Sequence, residues 1–353
     1  MSTATVEVLR RGAPLQRLPL ITLYLSERCN SRCVTCDYWR NGRADLNLAG
    51  VERLLPALAS LRTEVALLSG GEPLLNPEWA EIACLLRAHG LKLWLLTSGL
   101  SLAKHARPVA ELFDAVTVSL DGTSPATYAA IRGLDAFDKV CEGIRAALGA
   151  GAQVSVRVTL QRANYRELPA FVDLATGLGV RQISFLAVDV ANPHAFGRRE
   201  DFGGRLALAR EDLPVFEEML DSLEVEHDAA FRSGLIAESP QKLRRLLQYF
   251  RALHGLGPPP PVRCNAPDFS AVVDANGSVR PCFFIAGPAG TAVRSRDLQA
   301  VLNDAPMREL RDSIRAGSRR ECATCVCPLW RDFQRGDRLI PVSRSAAGTA
   351  ARV

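Results

Sequence analysis

The chain has no apolar run long enough to cross a bilayer: the longest near its start, residues 18–25, falls far short of the roughly 20 residues a spanning helix needs. Residues 1–20 also lack the apolar core and small-residue cleavage site of a secretory signal. Aromatic residues make up only 6% of the sequence, and no basic block is interleaved with them. The formal charge of +5 is the small difference between 43 basic and 38 acidic residues scattered through one another. Such a distribution describes a solvated surface rather than a nucleic-acid groove. Histidine is scarce, and its five copies form no ligand-spaced pair. No internal repeat appears at solenoid periods. Together these absences argue against a membrane, secreted, solenoid or nucleic-acid-binding protein and lead us to expect a cytoplasmic one.

Cysteine, by contrast, is plentiful. Ten are present in 353 residues, in a chain long enough to bury about 75% of its unfolded surface and to hold two domains. Disulfides are therefore not needed for folding, and in a reducing compartment clustered thiols bind metal or perform catalysis. Cys84 and Cys141 sit alone in helical patterns and are expected in the core. The other eight fall into two groups, near residues 29–36 and 264–327.

Apolar strands at 20–26, 65–69, 91–97, 115–120, 154–160 and 182–188 alternate with helical patterns near 47–60, 77–89, 102–112, 135–149 and 166–178. Strand–helix alternation predicts parallel strands with right-handed crossovers. Six units are too few for a closed eightfold barrel, which takes about 250 residues. The expected fold is α/β, an open, partial (β/α)6 TIM-like barrel over residues 20–190, preceded by an arm at 1–19. Residues 191–262 read as a charged helical linker, holding His194 and His227 at the surface and closing on Gly255-Leu256-Gly257 and the run Pro258–Pro261. A small cysteine-rich domain at 263–330 follows, then a frayed tail at 331–353.

Directly after the first strand comes Cys29-Asn30-Ser31-Arg32-Cys33-Val34-Thr35-Cys36. Three thiolates at this spacing can hold three irons of a cubic four-iron four-sulfur cluster and leave the fourth iron open to a small molecule, whereas simple electron-transfer clusters take four cysteines. A structural zinc site with a distant fourth ligand is the alternative. Position favours catalysis, because parallel-barrel enzymes place chemistry at the C-terminal strand ends. Further candidates leave the same rim. Gly70-Gly71-Glu72-Pro73 offers close backbone approach and a carboxylate for a cationic amine. Thr97-Ser98-Gly99 follows the third strand, and Ser119-Leu120-Asp121-Gly122, suited to ribose hydroxyls or a methionine moiety, ends the fourth. Arg157 on the fifth strand and Arg132, after Tyr128, are candidate bidentate clamps for a carboxylate; a surface ion pair is the plainer reading of each.

In the second group, Cys264 and Cys282 flank Asp274-Ala275-Asn276-Gly277, a hairpin turn that can bring the two thiols together. Cys322-Ala323-Thr324-Cys325 adds a chelating pair, and four thiols from two pairs also suit a zinc ribbon. Cys327 is left over, either replacing Cys322 or Cys325 as a ligand or packing as a small hydrophobe.

The Cys-x3-Cys-x2-Cys run, with the Gly-Gly-Glu-Pro and Thr-Ser-Gly elements, resembles the signature of the radical S-adenosylmethionine (radical SAM) superfamily. Two departures stand out: Thr35 where the family often has an aromatic residue, and Ser98 where asparagine is commoner. Tyr38 and Trp39 follow instead, with Tyr38 the candidate cover over cluster or adenine. The second cysteine group resembles the twitch domain, the shorter relative of the SPASM domain. The resemblance implies a partial barrel binding S-adenosylmethionine at the open iron, its amine held by Glu72. It further implies a 5′-deoxyadenosyl radical that takes a hydrogen atom from substrate, a flavodoxin- or ferredoxin-type electron donor, and one auxiliary four-iron four-sulfur cluster on four cysteines. Net oxidation of a small molecule or peptide is the expected outcome. The short stretch before the first strand is expected to leave no room for a leader-peptide-binding domain. The competing readings are an epimerase with Cys327 as hydrogen-atom donor, a ring rearrangement, an RNA-modifying enzyme, and a non-catalytic scaffold with zinc at both groups.

Overall fold

The computed structural model describes residues 12–332 apart from 41, 191, 193–195, 197–202, 289, 291 and 295. Its order is β1 (Leu20–Ser26), α1 (Leu48–Glu52), α2 (Leu55–Ser60), β2 (Val65–Gly70), α3 (Trp79–Ala88), β3 (Lys92–Thr97), α4 (Leu102–Leu112), β4 (Ala115–Ser119), α5 (Pro125–Arg132), α6 (Phe137–Gly149), β5 (Val154–Leu160), α7 (Leu168–Leu178) and β6 (Gln182–Ala187). There follow α8 (Gly203–Leu206), α9 (Leu213–Glu226), α10 (Asp228–Ser233), α11 (Pro240–Leu253), β7 (Ser270–Val273), β8 (Val279–Arg280), α12 (Leu298–Leu302), α13 (Ala305–Arg315) and α14 (Arg320–Ala323).

One eight-stranded sheet runs in the order β6-β5-β4-β3-β2-β1-β7-β8. The first six strands are parallel and in chain order, as the alternating pattern predicts. The cysteine-rich segment adds β7 parallel to β1, with Leu20 opposite Ser270 and Leu23 opposite Val273. Having a neighbour on each side and cover on both faces, β1 is buried along its whole length. That burial explains its nearly unbroken apolar sequence. The predicted hairpin is present: β8 returns antiparallel to β7 through a turn in which the Gly277 N–H bonds the Asp274 carbonyl at 2.7 Å. Gly277 has φ +84° there, which only glycine adopts without strain.

Strand alternation sorts the side chains by face. On β4 and β5, Val116, Val118, Val156 and Val158 are buried in the main core, while Thr117, Arg157 and Thr159 line the barrel interior. At the far side, β6 is not left as a bare edge. The Ile183 N–H bonds the Leu235 carbonyl at 2.7 Å, the Ala237 N–H bonds the Ile183 carbonyl at 2.8 Å, and the Glu238 carboxylate accepts the Phe185 N–H at 2.9 Å. Covering an edge in this way blocks stray strand pairing.

Three local features depart from expectation. The single helix predicted over 47–60 is split at Leu54, because Pro56 in the first turn of α2 has no N–H to continue the preceding helix. Helix α5 was not anticipated, although its signals are plain: a Ser124 cap accepting the Thr127 N–H, Pro125 at the first position, and Gly133 in the left-handed region at its end. Cys84 is a correction. It is exposed, because Ile82, Ala83 and Leu86 form the buried face of α3 and Cys84 projects from the other side. Cys141 is buried, as expected. His194 and residues 333–353 lie outside the described residues, and His227 sits at the junction of α9 and α10. Among the described residues no helix is long and apolar enough to cross a membrane. In the folded protein a small thiol reagent is expected to modify Cys84 while sparing Cys141 until denaturant is added, as read by peptide mapping. Equal labelling of the two would contradict the packing of α6.

Candidate active site

The cysteine loop is set by backbone contacts on both flanks. On one, the Gly71 N–H donates to the Ser26 carbonyl and the Glu72 N–H to the Arg28 carbonyl, each at 2.8 Å. A Cβ on Gly71 would lie 2.4 Å from the Arg28 oxygen, so only glycine lets the strands of backbone meet. On the other flank, the Arg32 N–H donates to the Arg132 carbonyl at 3.0 Å and the Val34 N–H to the Ile131 carbonyl at 2.9 Å. Gly133, with φ +74°, would place a Cβ 2.3 Å from the Arg32 oxygen. From β3, the Ser98 hydroxyl donates to Asn30 Oδ1 at 2.9 Å. Three separate rim elements thus grip one loop.

Within it, the Ser31 N–H points at Cys29 Sγ and the Tyr38 N–H at Cys36 Sγ, both at 3.4 Å. Burial pushes the Cys29 thiol up to about 11 and Cys36 up to about 12. Burial also raises Cys33, against the pull of the nearby Arg132 charge. Thiols raised in this way are protonated at neutral pH, and a metal bound by them would have to displace the protons. Soft thiolate donors suit iron–sulfur chemistry.

The rim motifs prove to be connected. Glu72 is fully buried; its Oε1 accepts the Thr97 hydroxyl at 2.8 Å and its Oε2 the Ser98 N–H at 2.7 Å. Pro73, also buried, opens the short turn that follows. Asp121 is engaged within the fold: Oδ1 accepts the Thr159 N–H at 2.8 Å, and Oδ2 pairs with Arg132 Nη1 at 3.1 Å. Ser119 lies opposite Arg157 in the β4–β5 register. The Arg157 side chain reaches only Ser184 Oγ, at 3.5 Å, and has no carboxylate partner among the described residues. Tyr38 packs edge-on to Tyr24 with ring centres 5.5 Å apart, and its hydroxyl accepts from Arg280 Nη2 at 3.1 Å. Arg280 in turn holds Asp274 Oδ1 at 2.7 Å. Tyr38 therefore ties the cysteine loop to the β7–β8 hairpin.

All five cysteines of the second group, Cys264, Cys282, Cys322, Cys325 and Cys327, line one small cavity. Burial lifts Cys282 to about 11 and also raises Cys322, Cys325 and Cys327. Among the described residues no three Cys, His, Asp or Glu side chains converge closely enough for a single ion; a cubic cluster, with one thiolate per iron, requires only that they face a shared space. A second and larger cavity, about 380 Å³, occupies the barrel interior. It is bounded by Thr35 of the cysteine loop, Trp94 and Arg157 of the strands, Phe283 of the hairpin, and Cys327. Of the five, Cys327 alone borders both spaces. Sequence reading missed Trp94, Thr117 and Thr159 as lining residues, although their inward phase on predicted strands was available. Phe283 and Arg280 carried no such signal.

The radical SAM superfamily profile matches residues 23–175 and that of an iron–sulfur cluster-binding SPASM domain residues 264–326. A probable GTP 3′,8-cyclase from Saccharolobus islandicus (strain Y.N.15.51 / Yellowstone #2) is 30% identical over 244 residues, covering 65% of this chain and 75% of the relative. Among solved structures, Streptococcus suis SuiB bound to S-adenosylmethionine superposes with a TM-score of 0.64 at 14% identity, over 89% of this chain and 73% of that one. Native anSMEcpe with bound S-adenosylmethionine gives 0.61 at 18% identity, over 82% of each chain. These two likenesses establish the fold. The chain belongs to the radical SAM superfamily and carries a C-terminal SPASM domain. It is a radical SAM enzyme whose cofactors are S-adenosylmethionine, a four-iron four-sulfur cluster and an auxiliary iron–sulfur cluster, and the zinc-scaffold alternative falls with that assignment. Substituting Gly133→Ala is expected to cost about 1–3 kcal/mol of stability in a denaturant titration and to speed alkylation of Cys33; an unchanged midpoint and rate would contradict the tight docking of the loop.

Proposed function

We propose that Cys29, Cys33 and Cys36 would hold the radical SAM cluster, that Cys264, Cys282, Cys322 and Cys325 would hold the auxiliary cluster, and that the cavity between them receives a small molecule or one side chain of a peptide for net two-electron oxidation. The observation carrying this reading is that a single cavity borders the loop of the first thiol group, at Thr35, and the second thiol group, at Cys327. Its volume of about 380 Å³ lies within the ordinary range for small-molecule sites. When bound, the reduced cluster and S-adenosylmethionine together supply a 5′-deoxyadenosyl radical that removes a hydrogen atom from substrate.

The protein's part is orientation and exclusion of water. Glu72 presents a buried carboxylate already fixed by Thr97 and Ser98, and so meets a cationic amine without first having to be ordered. Arg157, free of any carboxylate among the described residues, is available to one brought by a ligand. The aromatic walls at Trp94 and Phe283 keep the interior apolar. An auxiliary iron–sulfur cluster held by four thiols around a separate space would provide a destination for the second electron of an oxidation. Substrates of both kinds have precedent: the name of the S. islandicus relative specifies a nucleotide, and SuiB is described bound to a precursor peptide.

A second reading is favoured by the position of Cys327. Cys327 borders the barrel cavity as well as the thiol cavity, and in this reading its S–H would return a hydrogen atom to a substrate radical, giving epimerisation rather than oxidation. Cys327→Ala separates the two: retained turnover excludes the hydrogen-donor role. After anaerobic reconstitution the wild type is expected to hold about eight irons per chain, and Cys29/Cys33/Cys36→Ala about four. Reductive cleavage of S-adenosylmethionine should be lost in that variant. Zinc at either group, or a wild type with only the irons that the variant lacks, would overturn the reading.

A further inference from the structure

We propose that the barrel cavity is specific for an amphipathic anion, a small apolar body carrying a carboxylate or phosphate, and that Arg157 binds the anionic group. The inference rests on the reading of that cavity as the substrate site and adds the chemical class of the substrate. It also moves Arg157 from the cofactor, where the sequence placed it, to the substrate.

Strand β5 has β4 on one side and β6 on the other, and Arg157 is its single exposed residue. Strand alternation turns it, with Thr159, towards the cavity. In the strand register it lies opposite Ser119 of β4 and Ser184 of β6. Its one hydrogen bond runs from Nε to Ser184 Oγ and is long, at 3.5 Å; both Nη groups have no partner among the described residues. The neighbouring carboxylates are engaged elsewhere. Asp121 is held by Arg132 and by the Thr159 N–H. Asp189 borders the same cavity, but its Oδ1 accepts the Asn192 N–H at 3.0 Å and it makes no ion pair with Arg157. A second guanidinium, that of Arg331, also borders the cavity, its main chain fixed by two bonds to Asn265. An arginine that serves the fold is paired, as Arg132 is with Asp121; Arg157 is accessible and unpaired.

The two halves of the cavity wall differ in chemistry. Leu67 of β2, Trp94 and Leu96 of β3, and Phe283 of the hairpin segment make one half apolar, whereas Thr117, Arg157 and Thr159 on β4 and β5 make the other polar. A guanidinium set among hydroxyls beside an apolar wall suits a ligand that is itself two-sided. The planar fork of arginine matches two oxygens of a carboxylate or a phosphate. A neutral apolar ligand would strip water from the arginine and leave its donors unpaired, so the same group that attracts the anion selects against the uncharged analogue.

The test is equilibrium dialysis of radiolabelled 3-phenylpropionate against the anaerobically reconstituted full-length protein with S-adenosylmethionine present. Unlabelled 3-phenylpropionamide and 2-phenylethylphosphonate serve as competitors. The acid is expected to bind saturably and about 10- to 100-fold more tightly than the amide. Arg157→Ala should abolish that preference and Arg157→Lys restore part of it, with affinity for S-adenosylmethionine unchanged in both. Trp94→Ala should weaken acid and amide alike. A phosphonate that outcompetes the acid assigns the site to a phosphorylated substrate, and one that does not assigns it to a carboxylate. The proposal is overturned by a preference that is absent in the wild type or survives Arg157→Ala, and equally by a lack of saturable binding. Weakened S-adenosylmethionine affinity in Arg157→Ala, with the acid preference intact, would return the arginine to the cofactor. Should Arg157→Ala fail to load iron, Arg157→Lys decides, and an undiminished preference there counts against the proposal. Acid and amide that bind equally, both weakened by Trp94→Ala, remove the anion class and leave the cavity as the substrate site. Binding indifferent to both Arg157 and Trp94 would instead bring down the cavity reading itself.

Discussion

Two backbone carbonyls, those of Arg28 and Arg32, sit where the side chains of Gly71 and Gly133 would otherwise be. That close approach is the constraint on which the rest of the site depends. It brings the N–H groups of Glu72, Arg32 and Val34 within bonding distance of their carbonyl partners and leaves Cys33 bracketed between two anchored neighbours. A loop with three half-buried thiols contributes none of its cysteines to the main core, so its order must come from main-chain bonds to elements that are themselves rigid. Those elements are the ends of β2 and α5, whose helices and strands are packed in the main core.

Strand β1 joins the two halves of the chemistry. The cysteine loop leaves its C-terminal end, while β7 of the SPASM segment pairs along its free side. Both thiol groups therefore hang from one sheet, and the ladder fixes their separation far better than a flexible tether would. The Tyr38–Arg280–Asp274 chain adds a polar cross-link over the same junction. Arg280 also lies over the Tyr24 ring at 5.2 Å. A buried cation with one carboxylate and aromatic faces around it is well compensated, which explains how a guanidinium persists between two otherwise apolar surfaces.

Much of this was legible in the residues. The six parallel strands follow from apolar runs at regular spacing, and the rim motifs follow from their places at strand ends. Less legible were the facts that depend on packing. Cys84 is flanked by apolar residues and reads as core, yet the rotation of α3 turns it outward. Ser98, Asn30 and Glu72 are far apart in sequence, so nothing in the chain announced that they form one bonded set. Asp121 and Arg132 were each read as ligands for a small molecule; only the structure shows that they hold each other. Phe283 and Arg280 gained their places through the β7–β1 pairing, a long-range contact that local pattern does not encode.

The central claim is that two iron–sulfur sites flank one cavity in a single sheet-based frame. Anomalous diffraction from anaerobically grown crystals, collected at the iron and zinc absorption edges, tests it most directly. The account predicts two compact iron peaks, one against Cys29, Cys33 and Cys36 and the other among Cys264, Cys282, Cys322 and Cys325, with the barrel cavity between them. A single iron peak, or a zinc peak at either thiol group, would contradict it.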